Sequence, residues 1–327
     1  MTPGSGLRFD DRCDKMRPRD LSFGVLPAGE IPLACEIFHA WGILRACATC
    51  ALLAGCSQGV LDPQGPVGAD EKVILFDATT IMLAVVIPVI ICTLAFAWWF
   101  RARNKRARRL PDWEYSGRIE FVTWSIPAMI VMFLGGIAWI GSHDLDPRKA
   151  LGSAKPVEIE VISLDWKWLF IYPSERVATV NELVLPVNTP VHFKLTSASV
   201  MNSFFVPQLG SQIYTMAGMT TQLNLLASNA GTYAGLSAQF SGDGFSDMRF
   251  DVKAVPEDEY EEWLRSTRAG TEYLDAVRYA QLAAPSGPDP PHTFGQVTPG
   301  MFDSIVHNHG APIGSSPTSA LTSGRSL

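Results

Sequence analysis

The side chains that most often do chemistry are unevenly placed along this chain. All six cysteines lie at or before Cys92, and five of them fall within the first 56 residues. The last 235 residues contain no thiol, which excludes a disulfide framework and a cysteine-ligated metal there. His307 and His309 lie two positions apart near the C-terminus, a weak pattern for a metal site. His192 alternates outward on a predicted strand and is expected to be exposed rather than liganding.

One carboxylate, Glu120, stands directly before a long uncharged stretch. A negative charge in the first turn of a helix is stabilised by the helix dipole, which is one explanation for its position. Ionisable groups at membrane depth are functional candidates, which is the other explanation. The residues alone leave both open.

Two windows of 20 residues, Ile81–Phe100 and Phe121–Ile140, contain no charged side chain. As helices they would each cover about 30 Å, the thickness of the hydrocarbon core of a bilayer. Trp98, Trp99 and Trp139 lie at the window ends, where aromatic residues favour the membrane interface. A charged fraction of 18% beside 47% apolar residues is typical of a chain divided between lipid and water. The sequence predicts two transmembrane helices.

Between the windows, residues 101–118 carry seven basic side chains against Asp112 and Glu114, a net charge of +5. Short loops with this excess stay in the cytoplasm, so both ends of the chain are expected on the outer side of the membrane. A patch for anionic lipid or nucleic acid is the weaker alternative, because the loop is short and anchored at both ends. The net charge of −6 for the whole chain disfavours nucleic acid as a partner.

The N-terminal segment resembles a bacterial lipoprotein signal. Arg45 precedes a short apolar run that ends in Leu52-Leu-Ala-Gly-Cys56. We expect residues 1–55 to be removed and Cys56 to carry lipid, such as palmitate, as the first residue of the mature protein. A chance match of small residues is the alternative.

Residues 156–255 show short alternating runs separated by Gly, Pro and Asn breakers. Val157–Val161 and Val191–Leu195 alternate with period two, and Trp166–Tyr172 is strand-like and rich in aromatic residues. About 100 residues of closely spaced strands without a long helical pattern predict a β-sandwich or barrel.

Three motifs in this region carry a resemblance: DWKW, SVMNSFFVPQLGSQIYTMAGM and GTYAGLSAQFSGDGFSDMRF. With two preceding spans, they resemble subunit II of haem–copper terminal oxidases, in the form found in bacterial cytochrome bo-type ubiquinol oxidases. The resemblance covers roughly residues 56–310. It implies a transmembrane helical hairpin, an all-β cupredoxin-like sandwich and a short helical C-terminal arm.

The copper-bearing branch of that family holds a dinuclear copper centre with Cys-x-Glu-x-Cys-x-x-x-His-x-x-Met and an earlier His. Alignment of that pattern leaves only the methionine, as Met248, which we expect to be a core side chain. The other ligand positions are filled by Asn202, Ser237, Gln239, Ser241 and Phe245. Because hydroxyl and phenyl groups do not replace bridging thiolates and imidazole, the domain is expected to bind no metal.

The resemblance further implies a role in a proton-pumping ubiquinol oxidase. This chain alone would not be catalytic, because the haems and copper would lie in partner subunit I. Smaller membrane subunits and membrane lipid would be further partners. Ubiquinol would be the substrate of the complex. Glu120 would mark the entrance of a proton channel in subunit I. Trp166 and Trp168 would be packing residues, and Asp165 would contact a partner or form a turn. A copper-bearing cytochrome c oxidase subunit and a stand-alone periplasmic binding lipoprotein are the alternatives.

The C-terminal arm contains a polar, helix-permitting stretch from Asp258 to Leu282, followed by a proline-rich extended segment. Its inner faces are expected to include Trp263, Leu264, Tyr273, Leu274, Val277 and Tyr279. The predicted segments are 1–55 (signal), 56–72 (linker), 73–100 (first span), 101–118 (basic loop), 119–140 (second span), 141–155 (linker), 156–255 (sandwich), 256–310 (arm) and 311–327 (disordered tail).

Overall fold

The computed structural model describes residues 59–108, 111–112, 114–287 and 289–307. The expectations for residues 1–55, Cys56, His309 and the tail 311–327 fall outside these ranges.

Two long helices precede the β domain. Helix α1 runs from Pro66 to Trp99, and helix α2 runs from Gly117 to Asp144. Proline suits the first position of a helix, where its missing N–H costs nothing, so α1 begins at Pro66 rather than at residue 73. Both helices expose large apolar side chains on all sides. In the most apolar 18-residue stretch of each helix, no residue is buried. Helices that are apolar all round require an apolar environment, as expected of membrane spans.

The β domain is a sandwich of two sheets. With strands numbered in chain order and β12 at His292–Phe294, the six-stranded sheet has the order β12-β3-β2-β1-β5-β8, and the five-stranded sheet has the order β4-β10-β9-β6-β7. Most neighbours are antiparallel, whereas β1 pairs with β5, and β10 with β4, in parallel. The first ten strands are β1 Val157–Leu164, β2 Lys167–Tyr172, β3 Val177–Val180, β4 Glu182–Pro186, β5 Val191–Ser197, β6 Asn202–Phe205, β7 Ile213–Thr215, β8 Thr221–Leu225, β9 Gly231–Ser237 and β10 Arg249–Val255.

An aromatic cluster fills the space between the two sheets. Phe204 and Phe250 stack with ring centroids 5.2 Å apart, and Trp168 lies 5.5 Å from each of them. Phe170 and Phe193 complete the cluster and, like Phe204 and Trp168, are fully buried. Because strand side chains alternate between faces, Trp168 and Phe170 point inward from the same face of β2.

The C-terminal arm covers the outer face of the six-stranded sheet. Its strand β12 extends that sheet by pairing with β3, and β11 pairs with β13 in a separate ribbon. A second apolar cluster, which includes Ile162, Leu169 and Phe302, lies between sheet and arm. The arm elements are α3 Glu257–Arg268, β11 Tyr273–Leu274, α4 Ala276–Ala283, β12 His292–Phe294, β13 Gln296–Val297 and α5 Met301–His307.

The arm differs in detail from the sequence-based expectation. Leu264, Leu274 and Tyr279 are buried, as predicted. Tyr273 and Val277 were expected on inner faces but are 47% and 67% exposed. The arm also contains three short strands besides its helices, and the proline-rich stretch leads directly into one of them, β12, which pairs with the edge of the six-stranded sheet.

Backbone hydrogen bonds join the start of α1 to the sandwich. Gly68 N donates to Leu209 O at 3.1 Å, and Gln64 N donates to Gln208 O at 2.7 Å. A Cβ on Gly65 would lie 2.2 Å from Leu226 O, so only glycine permits this approach. The start of α1 is therefore held directly against the β domain by backbone hydrogen bonds.

Candidate functional site

The residues that align with the copper ligands of the copper-bearing branch lie together at one end of the sandwich. Asn202 begins β6 and Ser237 ends β9, which are neighbouring strands of the same sheet. Ser237 Oγ donates to Asn202 Oδ1 at 3.1 Å and lies 3.2 Å from Gln239 O. Asn202 and Ser237 are both buried. Polar side chains here satisfy one another through hydrogen bonds.

The loop between β9 and β10 supplies the remaining positions. Met248 is 1% exposed and packs in the main core, as predicted, and Ser241 Oγ lies 3.9 Å from its sulfur. Phe245 begins a 3₁₀ turn and packs edge-on against Phe240 at 5.6 Å. Phe240 itself is 71% exposed. The loop between β9 and β10 thus has a polar side chain, Ser241, on its inner side and an apolar one, Phe240, on its exposed side.

This donor set does not fit a pair of copper ions. Its members offer amide and hydroxyl oxygens, a phenyl ring and one thioether, but neither thiolate nor imidazole. Copper in a bridged pair requires soft sulfur and imidazole ligands. In the described parts of the chain there is also no group of three or more His, Cys, Asp or Glu side chains that could hold a metal ion.

Two tryptophans flank this loop in different ways. Trp168 is fully buried in the aromatic core. Trp166 is partly buried, adopts a positive φ of 67°, and donates from its indole Nε1 to Ser241 O at 3.2 Å. A Cβ on Gly244 would lie 2.4 Å from the Trp166 ring, so glycine allows the indole to cover the loop. Both side chains pack, which agrees with the predicted role.

Three other candidates make ordinary structural contacts. Asp165 accepts a hydrogen bond from Ser199 Oγ, beside the turn between β1 and β2. His192 was expected to be exposed but is partly buried, and its Nδ1 is hydrogen-bonded to Asn224 Oδ1 at 2.9 Å. His307 Nδ1 bonds to the backbone of its own helix at 2.6 Å.

Glu120 lies in the first turn of α2, where its backbone N donates to Ser116 O at 3.0 Å. Its side chain is exposed and lines an open groove of about 510 Å³ together with Tyr115 and Trp124. The carboxylate therefore faces outward from the hairpin, where a neighbouring subunit could reach it.

A second group of charges lies where the arm meets the six-stranded sheet. Glu160 of β1 and Asp303 of α5 line a cavity of about 170 Å³, with Arg176 at its edge. Burial raises the pKa of Glu160 to about 7; Lys194 acts in the opposite direction, and Asp303 and Glu158 add to the rise. Glu160 thus exchanges protons near neutral pH.

Lys167 joins the sheet to the arm and was not singled out by its sequence. It is 2% exposed, and its Nζ donates to Leu282 O at 2.9 Å and to Ala284 O at 3.2 Å. These are carbonyls at the end of α4, which have no partner within the helix. Burial lowers the pKa of Lys167, while Asp289 and Asp165 oppose that change.

Comparison with known families agrees with this architecture. The family profile "Cytochrome C oxidase subunit II, periplasmic domain" matches residues 157–255, and "COX Aromatic Rich Motif" matches residues 268–311. The "Ubiquinol oxidase subunit 2" of Acetobacter aceti is 52% identical over 264 residues, covering 79% of this chain and 86% of that protein. The chain belongs to the subunit II family of haem–copper terminal oxidases.

Other members of this family align over a similar length. The "Cytochrome bo(3) ubiquinol oxidase subunit 2" of Pseudomonas aeruginosa is 50% identical over 256 residues, covering 78% of this chain and 77% of that protein. Among solved structures, the periplasmic domain of cytochrome oxidase subunit II from Bradyrhizobium japonicum aligns over 36% of this chain and 96% of that one, with 20% identity and a TM-score of 0.34.

The family assignment and the fold class predicted from the sequence are confirmed. The aromatic-rich motif in the arm was missed. Its signal consists of single aromatic residues, such as Tyr279, Phe294 and Phe302, dispersed among prolines and short polar runs. That spacing follows neither a helical nor a strand period.

Proposed function

We propose that this chain serves as subunit II of a ubiquinol oxidase, a membrane complex that oxidises ubiquinol and reduces oxygen to water. One observation carries the proposal: Asn202, Ser237 and Ser241 occupy the positions where the copper-bearing branch holds imidazole and thiolates. These side chains bond to each other and to nearby groups instead. A soluble cytochrome c would therefore find no copper acceptor in this domain.

In this proposal the chain itself carries no redox group. Ubiquinol dissolved in the membrane donates its electrons to partner subunit I, which holds the haems and copper. The hairpin of α1 and α2 anchors this chain among the membrane subunits, and the sandwich covers the complex from outside. The chain is thus a necessary part of an oxidoreductase rather than a catalyst alone.

The proposal is tested by purifying the complex with this chain and comparing two electron donors. We expect oxygen consumption with ubiquinol, none above background with reduced cytochrome c, and no copper in the sandwich domain. A purple domain with about two coppers, or turnover with cytochrome c, would support the copper-bearing alternative. Purification without any haem-bearing partner would support the stand-alone lipoprotein.

Glu120 is proposed as the entrance of a proton channel whose body lies in subunit I. Its exposed carboxylate at the edge of an open groove suits proton uptake from the cytoplasm. Glu120→Gln should slow oxidase turnover while the complex still assembles. Glu114→Gln is a matched control, because Glu114 is also exposed but lies outside the groove residues. Unchanged proton uptake in proteoliposomes containing the Glu120 variant would exclude the role.

We further propose that the basic loop lies in the cytoplasm, that the sandwich lies in the periplasm, and that Cys56 is acylated. The excess of basic residues between the spans supports this orientation. A Cys56→Ser variant should lose the mass of the lipid while keeping both spans. An unmodified mass for the wild-type mature chain would contradict the acylation.

A further inference from the structure

A compact turn directly follows α1. Asn104 N donates to Arg101 O at 2.9 Å, and the Asn104 side-chain amide donates to Trp99 O at 2.6 Å. Arg106 N in turn donates to Asn104 Oδ1 at 3.1 Å. The Asn104 side chain therefore donates a hydrogen bond to one of the backbone carbonyls that have no partner at the helix end. Through its other contacts it folds the following residues back toward that end.

This turn concentrates positive charge that has no ion-pair partner among the described residues. Five basic side chains lie within eight residues, and every one of them is exposed. None forms an ion pair with a described residue, although ion pairs occur in the sandwich and the arm. The five are Arg101, Arg103, Lys105, Arg106 and Arg108.

The position of the turn places these charges at the boundary between hydrocarbon and headgroups. Trp98 and Trp99 are 63% and 47% exposed at the end of the uncharged window, where indole rings favour the interface. The Arg101 guanidinium lies 4.7 Å from the centre of the Trp98 ring, a cation–π contact that holds it at that depth.

We propose that the turn Arg101–Arg108 binds the headgroup of an anionic phospholipid, in addition to its expected location in the cytoplasm, since a basic loop next to a span can do both. A lipid phosphate accepts several hydrogen bonds at once, and arginine presents planar donors that match it. The turn offers such donors on a backbone fixed by Asn104, beside the exposed apolar end of α1, where acyl chains would lie. The proposal is independent of the oxidase function, because it requires only that α1 spans a membrane.

A lipid suits this surface better than a protein segment. The charges are contiguous with the exposed rings of Trp98 and Phe100, so one ligand with both an anionic and an apolar part contacts both. Basic residues immediately next to a transmembrane helix attract anionic lipid by about 1 kcal/mol each, which is roughly a fivefold preference per residue.

The test uses the full chain in nanodiscs made either of phosphatidylcholine or of equal parts phosphatidylcholine and phosphatidylglycerol. Native mass spectrometry counts the lipids that stay bound after release from the disc. We expect retained phosphatidylglycerol in the wild type, displaced by salt but not by inorganic phosphate. The triple variant Arg103→Gln, Lys105→Gln, Arg106→Gln should lower the preference for phosphatidylglycerol by at least about tenfold.

Two further variants separate a built site from diffuse charge. Asn104→Ala keeps every charge but opens the turn, so it should also reduce retention, which keeps the test valid if the triple variant fails to insert. The control Lys155→Gln, Arg249→Gln, Arg265→Gln removes the same charge from the exposed surface of the β domain and arm and should retain lipid normally. Equal retention by wild type, Asn104→Ala and the triple variant would overturn the proposal. Lipid loss from the control would overturn it as well.

Discussion

The contact between the arm and the sandwich should depend on pH through Glu160. This carboxyl lies in the cavity beside Asp303, and its pKa is raised from 4.5 to about 7, chiefly by burial. In the unfolded chain it ionises near pH 4.5, whereas in the folded chain it stays protonated up to about pH 7. The folded state therefore binds more protons across that window, and its stability falls as the pH rises from 4.5 to about 7.

The size of this effect follows from the two pKa values. Their difference corresponds to at most about 3.4 kcal/mol, at 1.36 kcal/mol per pH unit. Because Glu160 is only partly buried, solvent screening reduces this to about 1–2 kcal/mol. Glu160→Gln removes the ionisation, so this variant should match the wild type near pH 4.5 and exceed its stability by that amount above pH 7.

The assay is thermal unfolding of the full chain in detergent at both ends of the pH window, with proteolysis of the arm as a local readout. A gain of about 1–2 kcal/mol raises the melting temperature by roughly 2–8 °C. Asp303→Asn should shift the pH dependence of the wild type to lower pH, because a neighbouring negative charge is lost. Glu259→Gln, an exposed carboxylate on α3, is the control. If Glu160→Gln and Glu259→Gln behave alike at every pH, the reasoning is refuted.

Three further predictions concern the arm, the core and the loop end. Lys167→Met leaves two carbonyls of α4 without a partner and should loosen the arm by about 1–3 kcal/mol, seen as faster proteolysis than in Arg265→Met. Phe204→Ala, in the centre of the aromatic cluster, should cost about 3–5 kcal/mol in denaturant unfolding; a loss below 1 kcal/mol would contradict the packing described. Rebuilding the copper ligands beside Met248 should give a purple, copper-binding domain, since the positions still converge; a colourless product would contradict that geometry. The rebuilt set is Asn202→His, Ser237→Cys, Gln239→Glu, Ser241→Cys and Phe245→His.

The spans and the strands of the sandwich could be predicted from the sequence because each follows one strong pattern. The uncharged windows predict the two helices, and the alternation in Val157–Val161 predicts the start of β1. The later part of β1 is less regular, since Val161 faces the main core while Ile162 and Leu164 face the arm. A strand buried on both faces loses its alternation, so the sequence alone did not show that the arm covers this sheet.

Only part of the candidate site could be predicted from the sequence. The positions aligned with the copper ligands could be assigned from the motif, because it is long and its spacing is kept, and this assignment stays a prediction. The contacts of Lys167 and Glu160 could not, because each depends on an element more than 100 residues further along the chain. His192 illustrates the same limit. The alternation of its strand predicted an exposed side chain, but Asn224 on the neighbouring strand is hydrogen-bonded to it and covers it.

The backbone junction at Gln64–Gly68 has a mechanical consequence for the assembled complex. Because Gly68 in the first helix and Gln64 just before it are hydrogen-bonded to Leu209 and Gln208, a subunit that binds the helix would also fix the orientation of the β domain. The exposed ring of Phe240, on the loop between β9 and β10, would then be presented in one fixed orientation. A Gly65→Ala change, whose Cβ would lie 2.2 Å from Leu226 O, would push this segment away from the sandwich and release that constraint.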